Sequence, residues 1–398
     1  MRRLLPTLFL AAVLVSCDGA NPPDDSRLPL PQLPAEIASE LSGYLDRHHL
    51  APESYVLSKF ENHDVVILGE FHRIKHDLAL VHNLIPKLRA AGVYTLAMEF
   101  ANWEDQADID RLLTAPVYDE ALARQIQFNQ WPFWGFQEYI DIYKVAWELN
   151  HNLPDTARRF RVVGLNASAD WSLLKTEADL KNPELMKRIW AKGSSDENMA
   201  ATARREIVET HEKALVYCGI YHGFTKYRRP YYAPNSDSVD HWDKDRLGHS
   251  LYQQLGDRVF LINLHAPWPP AGSFSGYTYP VDGVIDALMA ELGTEYYPVG
   301  FDIVGSPFAS LTATQSYWGN GKDDFTLGDY CDGYIFTRPL SQYDGVTVAE
   351  GFYHEGNRLA TLNQSANPAS KDTARSVASI IESTTHDANM RQRFKDLR

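Results

Sequence analysis

The chain has 398 residues and a formal net charge of −14, with 44% hydrophobic and 12% aromatic content. That is ample for a core, and the acidic balance disfavours a phosphate backbone as partner, so nucleic acid is excluded. Three cysteines cannot form a disulfide framework.

The first segment reads as an export signal. Arg2 and Arg3 precede an apolar run from Leu4 to Val15, too short for a stable membrane span. Leu14-Val15-Ser16-Cys17 resembles the bacterial lipobox, which implies cleavage after residue 16 and acylation of Cys17. The lipid bilayer is then a partner, and the localisation is the extracytoplasmic side of the bacterial cell envelope. Asp18 favours the periplasmic face of the inner membrane. Removing Arg2 and Arg3 takes the charge from −14 to −16. Residues 17–34, rich in proline and acidic residues, read as a disordered tether. Residues 35–398 read as one α/β domain with helical insertions. Cys218 and Cys331 remain as one candidate disulfide pair.

Strand-like apolar runs alternate with helical patterns along this domain. Asp64–Leu68 is a short buried strand. Asp77–Ala91 is an amphipathic helix with Pro86 inside it and Gly92 as its stop. Tyr94–Met98 is a second strand. Ala107–Leu113 and Tyr118–Gln127 are short helices, and Phe136–Asn150 is a longer, aromatic-rich one. Arg161–Leu165 is a third strand. Asp196–Thr210 is a helix, followed by a strand at Ala214–Cys218. Leu247–Leu255 is a helix closed by Gly256. Val259–Leu264 is a fifth strand, and Val281–Leu292 a further helix. The pattern predicts an α/β fold: a mainly parallel central sheet with helices on both faces and the site at the carboxyl ends of the strands.

Those strand ends carry the candidate chemistry. The first gives Gly69-Glu70-Phe71-His72, the second Glu99, the third Asn166, the fourth Gly219-Ile220-Tyr221-His222 and the fifth His265. Two imidazoles with one or two carboxylates suit an open Zn, Mn or Fe site, with His72, His222, Glu99 and His265 as ligands. The same set works without metal, through a carboxylate-oriented histidine acting as general base. Glu70, His72, Glu99 and His222 are the candidate catalytic residues. Asp196, Tyr221 and Asn166 are placed to orient them or to touch substrate. His76, four residues after His72, is a weaker metal candidate. The segment Trp131–Phe136 reads as core or as a pocket wall. The stretch Tyr227, Tyr231 and Tyr232, beside Arg228 and Arg229, reads as a loop that packs over the sheet edge or caps the site.

VVILGEFH, followed by a helix and GVYTLAMEF, resembles the opening of the Tiki/TraB–ChaN–erythromycin esterase superfamily, marked by two Gly-x-x-His motifs and a glutamate. QWPFWGFQEYIDIYKVAWELN before RVVGLNAS is similar to ChaN-type haem-binding lipoproteins. SSDENMAATARREIVETHEKALVYCGIYH is similar to the segment leading to the second histidine, although Ser195 stands where the family usually has arginine. RLGHSLYQQLGDRVFLINL is similar to erythromycin esterases. The resemblance spans roughly residues 60–340. It implies an erythromycin-esterase/ChaN-like α/β fold and a shared rim at Glu70, His72, Glu99 and His222. Its members include metal-dependent proteases, histidine-base esterases and haem-binding lipoproteins. Three functions follow as expectations: a membrane-anchored hydrolase of ester or peptide bonds, a non-catalytic binder of haem or another small ligand serving iron uptake, or a structural envelope protein.

Overall fold

The structure is a computed structural model; it describes residues 28–397 apart from 233–238, 274 and 320–323. The signal segment, Cys17 and the tether up to residue 27 lie outside the described residues. Residues 28–34, also assigned to the tether, lie against the domain: the Leu28 amide donates to Asp396 O at 2.8 Å, and Leu33 packs on the core.

Two helices open the domain, α1 (Ala35–His48) and α2 (Pro52–Lys59). The sheet then begins with β1 (Val65–Glu70), followed by α3 (Lys75–Ala90), which runs unbroken through Pro86. Next come β2 (Thr95–Asn102), α4 (Gln106–Thr114), α5 (Glu120–Gln130), α6 (Gln137–His151) and β3 (Arg161–Asn166). After α7 (Pro183–Ile189) and α8 (Ser195–Ala203), a π-helical turn leads to β4 (Ala214–Gly219). The short α9 (Ile220–Gly223) and a hairpin of β5 (Pro230–Tyr232) and β6 (Val239–Trp242) precede α10 (Leu247–Leu255) and β7 (Val259–Leu264). Helix α11 (Val284–Leu292), β8 (Val299–Asp302) and β9 (Gly333–Phe336) complete the frame.

The seven-stranded sheet has the order β3-β2-β4-β1-β7-β9-β8. All pairs are parallel except the antiparallel β8–β9 edge. The expected architecture is thus present, and both faces are covered. Val66 and Leu68 of β1 face a core with α3 and α6, whereas Val65 and Ile67 face one with α8 and α10. This alternation explains why β1 reads as an uninterrupted apolar run.

The topology sets the site. From β1 the chain crosses toward β2, and from β4 it crosses the other way to β7, although β1 and β4 are neighbours. Crossovers leaving in opposite directions put their helices on opposite faces. A crevice therefore opens at the carboxyl ends of β1 and β4.

The expected strand Tyr94–Met98 is longer than read. It continues to Asn102, with a register shift against β3 between Met98 and Asn102. Glu99 is therefore inside the strand, on the irregular stretch that re-aims its side chain. Strands β8 and β9 escaped the sequence reading because each is only four residues long. Cys218 and Cys331 are free, buried thiols rather than a disulfide.

Behind the crevice, a Cβ built on Gly345 would lie 1.5 Å from the Ala388 carbonyl oxygen. Backbone cannot yield as a side chain does. Gly345→Ala is expected to cost about 3 kcal/mol or more, read as a lowered urea midpoint with an unchanged slope. An unchanged midpoint would mean that the C-terminal helices do not dock there.

Candidate active site at the carboxyl edge of the sheet

The first Gly-x-x-His turn forms a carboxylate–histidine pair. Glu70 Oε1 lies 2.8 Å from His72 Nδ1. The Glu70 side chain is fully buried, whereas that of His72 is 36% exposed. Glu70 also accepts from Tyr139 Oη at 2.7 Å and from the Tyr217 hydroxyl. A carboxylate that accepts from all three is acceptor-only, which assigns the His72 proton to Nδ1 and leaves Nε2 as a base.

The turn after His72 is locked. Arg73 adopts a positive φ of 72°, unusual for a non-glycine residue and costing of order 1–3 kcal/mol. Its amide donates to Tyr139 Oη at 3.1 Å, and its carbonyl accepts from the Val346 amide at 3.0 Å. The edge of the His72 ring meets Trp134 at 5.2 Å between centroids.

The second turn repeats the device. His222 Nδ1 lies 2.7 Å from Asp196 Oδ1, and its Nε2 is 3.5 Å from Glu99 Oε1. Glu99 Oε2 accepts the Gly219 amide at 2.8 Å. Asp196 also accepts from Arg246 at 2.9 Å, and Arg246 reaches Asp243 at 2.8 Å. Burial works against the His222 cation, but Glu99 and Asp196 outweigh it and raise its pKa. Burial likewise opposes ionised Asp196, but the hydrogen bond and charge of His222, with Arg246, hold its pKa down at about 2. Each partner therefore favours the charged form of the other.

Gly219 joins the two halves. A Cβ there would lie 2.6 Å from His72 Cε1 and 3.4 Å from Glu99 Oε2. Only glycine leaves room for the His72 ring at that strand end. Glu70, His72, Gly219, Tyr221 and His222 line a cavity of about 310 Å³, together with apolar residues such as Trp268 and Tyr277.

Not every candidate joins this rim. His265 is fully buried: Nδ1 meets Tyr334 Oη at 2.8 Å and Nε2 meets Asp286 Oδ1 at 3.1 Å. Its amide donates to Ile335 O at 2.8 Å. The chain therefore continues alongside β9 past the end of β7 and turns this imidazole into the core, with neither nitrogen free for metal. His76 is buried against Tyr343, and burial lowers its pKa to about 3. Asn166 accepts from Ser195 Oγ at 2.9 Å and lines a separate, wider cleft of about 890 Å³ with Trp131, Trp171 and Trp190. Tyr221 is at the rim, but its hydroxyl donates to Asp243 at 2.8 Å. Tyr227 is buried against Phe224 and Tyr330 instead of capping the site.

Among the described residues, no group of three or more His, Cys, Asp or Glu side chains is arranged to hold a metal ion. Of the four expected ligands, His265 lies in the core. Sequence reasoning also missed Tyr139, Tyr217 and Arg246. Arg246 supplies to Asp196 the guanidinium that Ser195 does not. An "RLG" helix start gives no sign of that partnership.

The fold and rim define an α/β protein whose histidine and carboxylate pairs gather at the switch point of a mainly parallel sheet. Residues 56–173 match the family described as haem-binding uptake, Tiki superfamily, ChaN, so the resemblance read from the sequence holds over that segment. Among solved structures, the chain is similar to a Bacillus cereus protein at 13% identity and a TM-score of 0.50, covering 80% of this chain and 100% of that one. That likeness shows the fold. The chain is also similar to ChaN of Campylobacter jejuni, described with cofacial haem, at 14% identity and a TM-score of 0.35, covering 55% and 91%. A third similar structure is a succinoglycan biosynthesis protein, at 11% identity and a TM-score of 0.46, covering 79% and 98%. No curated protein matches the sequence.

Proposed function

We propose that this protein is a lipid-anchored extracytoplasmic hydrolase that cleaves small esters with His72 as general base. The observation that carries the reading is the Glu70–His72 pair, buried at the carboxylate and open at Nε2. Its geometry matches what general-base chemistry needs: an imidazole fixed in one tautomer, with its free nitrogen facing a cavity. His72 Nε2 takes a proton from water as the water oxygen bonds to the acyl carbon. The bond to the alkoxy oxygen then breaks, and His72 returns the proton to that oxygen. His222, which lines the same cavity, supplies positive charge in its protonated form where the oxyanion develops. Glu70 keeps His72 in register and stabilises its transient charge. The test is hydrolysis of a panel of phenyl esters before and after dialysis against EDTA. Turnover that survives EDTA supports the histidine base. Turnover lost to EDTA and restored by Zn²⁺ or Mn²⁺ would overturn it in favour of a metal centre.

A second reading is favoured by the family match over residues 56–173, which supports a haem-binding or related function. The residues around the two openings do not form a ready haem site. The cavity at His72, about 310 Å³, is at the narrow end for small-molecule pockets, which run from about 300 to 1,000 Å³. The wider Trp-lined cleft presents no His, Tyr, Cys or Met among its lining residues to serve as an axial ligand. No mechanistic step is therefore assigned to haem. A Soret band at stoichiometric haem, lost in His72→Ala, would make this the primary reading.

The anchor belongs to the same proposal. It is supported by the lipobox-like Leu14-Val15-Ser16-Cys17; no helix among the described residues is long and apolar enough to cross a membrane. Cys17→Ser is expected to move the protein from the detergent phase to the aqueous phase of a Triton X-114 partition. Retention in the detergent phase would reject acylation at Cys17.

A further inference from the structure

We propose that the His72 cavity selects substrates carrying a carboxylate, received by Arg73 and Arg393; this rests on the hydrolase reading and names its substrate class. Both residues line the cavity. Arg393 comes from the C-terminal helix Met390–Arg393, far along the chain from the motifs that define the rim.

Among the described residues, neither guanidinium forms an ion pair with a carboxylate, although Asp387 and Glu70 act on Arg73 from farther away. Arg393 donates through Nε and Nη2 to the Tyr277 hydroxyl at 2.9 and 2.5 Å, and through Nη1 to the Asp387 carbonyl at 3.2 Å. These acceptors are neutral. Arg73 Nε is buried without a hydrogen-bond partner, and its guanidinium stacks over the Trp134 ring at 4.5 Å. Burial disfavours the Arg73 charge and nearby Arg393 adds to this, partly offset by Asp387 and Glu70. Arg246 shows the contrast: it holds Asp196 and Asp243 at 2.9 and 2.8 Å. In a chain of net charge −14, two guanidiniums on one cavity with no carboxylate in direct contact mark the place of an anion that is not part of the protein.

The rest of the cavity sets the shape of that anion's carrier. Leu264, Pro267, Trp268 and Tyr277 give apolar walls, and Arg393 also covers the Phe71 ring at 5.2 Å. A compact, flat or short apolar body fits between them. With the carboxylate at the Arg73–Arg393 end, the scissile group falls toward His72. Guanidinium forks receive carboxylates and phosphates alike, so the experiment separates the two.

The probes are benzoate and inorganic phosphate, titrated calorimetrically into the full folded protein. Benzoate is expected to bind the wild type, with affinity lowered at least tenfold in Arg393→Gln and partly restored in Arg393→Lys. Equal benzoate affinity in wild type and Arg393→Gln overturns the assignment, as does binding of phosphate without benzoate. A circular dichroism melt of each variant establishes that it is folded. In parallel, the ratio of kcat/KM for 4-acetoxybenzoate to that for phenyl acetate is expected to fall at least tenfold in Arg393→Gln. If neither ester turns over but benzoate binding follows the expected order, the hydrolase reading fails and the carboxylate site stands.

Discussion

Replacing His72 with alanine is expected to lower kcat/KM for a cleaved ester by about 10²–10⁴-fold, the usual contribution of a positioned general base. The side chain is partly exposed and makes one hydrogen bond, to Glu70, so most of its removal is felt in chemistry. Glu70 keeps both tyrosine donors when His72 is gone, which limits the structural cost to about 1 kcal/mol. The decisive comparison is a melting curve beside the rate. Full activity in a folded His72→Ala protein would remove the general base from the mechanism. His72→Gln distinguishes loss of the base from loss of the ring volume, because it refills part of the space without restoring a basic nitrogen.

Asp196→Ala has the largest expected effect on stability. Asp196 is buried and bonded to His222, Arg246 and the Leu247 amide. Its removal leaves Arg246 with Asp243 and His222 with Glu99 as their remaining carboxylates, and breaking the buried pair costs about 3 kcal/mol. The pH dependence has a definite sign. Asp196 has a depressed folded pKa of about 2. Its contribution is present above the unfolded carboxylate value of about 3.9 and is lost as pH falls toward the folded one. His222 has a raised folded pKa, so its contribution is present below the unfolded value of about 6.5 and is lost as pH rises through the folded one. The difference between wild type and Asp196→Ala should therefore be greatest between about pH 4 and 6.5 and shrink on both sides. Urea melts across pH 3–9 measure it; a pH-independent difference would mean that the ion pair is not formed.

Much of this site is legible in the sequence, for a local reason. In a parallel sheet buried on both faces, each strand must be a short apolar run, and polar residues after the run must emerge at its end. Gly69–His72 and Gly219–His222 satisfy that rule, and the chain places both histidines on one cavity. His265 satisfies the same rule and yet lies in the core. Whether a strand-end histidine emerges depends on what continues beside it, and β9, which extends the sheet past β7, is too short to read from its own four residues. The carboxylate partners divide in the same way. Glu70 is two residues from His72 and visible at once. Asp196 is 26 residues from His222, and its link through Arg246 depends on the packing of α8 against α10.

The sequence by itself determined the strand-and-helix alternation, the sheet class and the positions of Glu70, His72, Glu99 and His222 at or near strand ends, because hydrophobic periodicity and turn chemistry act over a few residues. Tertiary structure alone decided which histidines are open, that Tyr139 and Tyr217 hold Glu70 beside His72, and that Arg393 comes to Arg73 at the cavity wall. Those relations join residues tens to hundreds of positions apart, and packing geometry, not local propensity, brings them together.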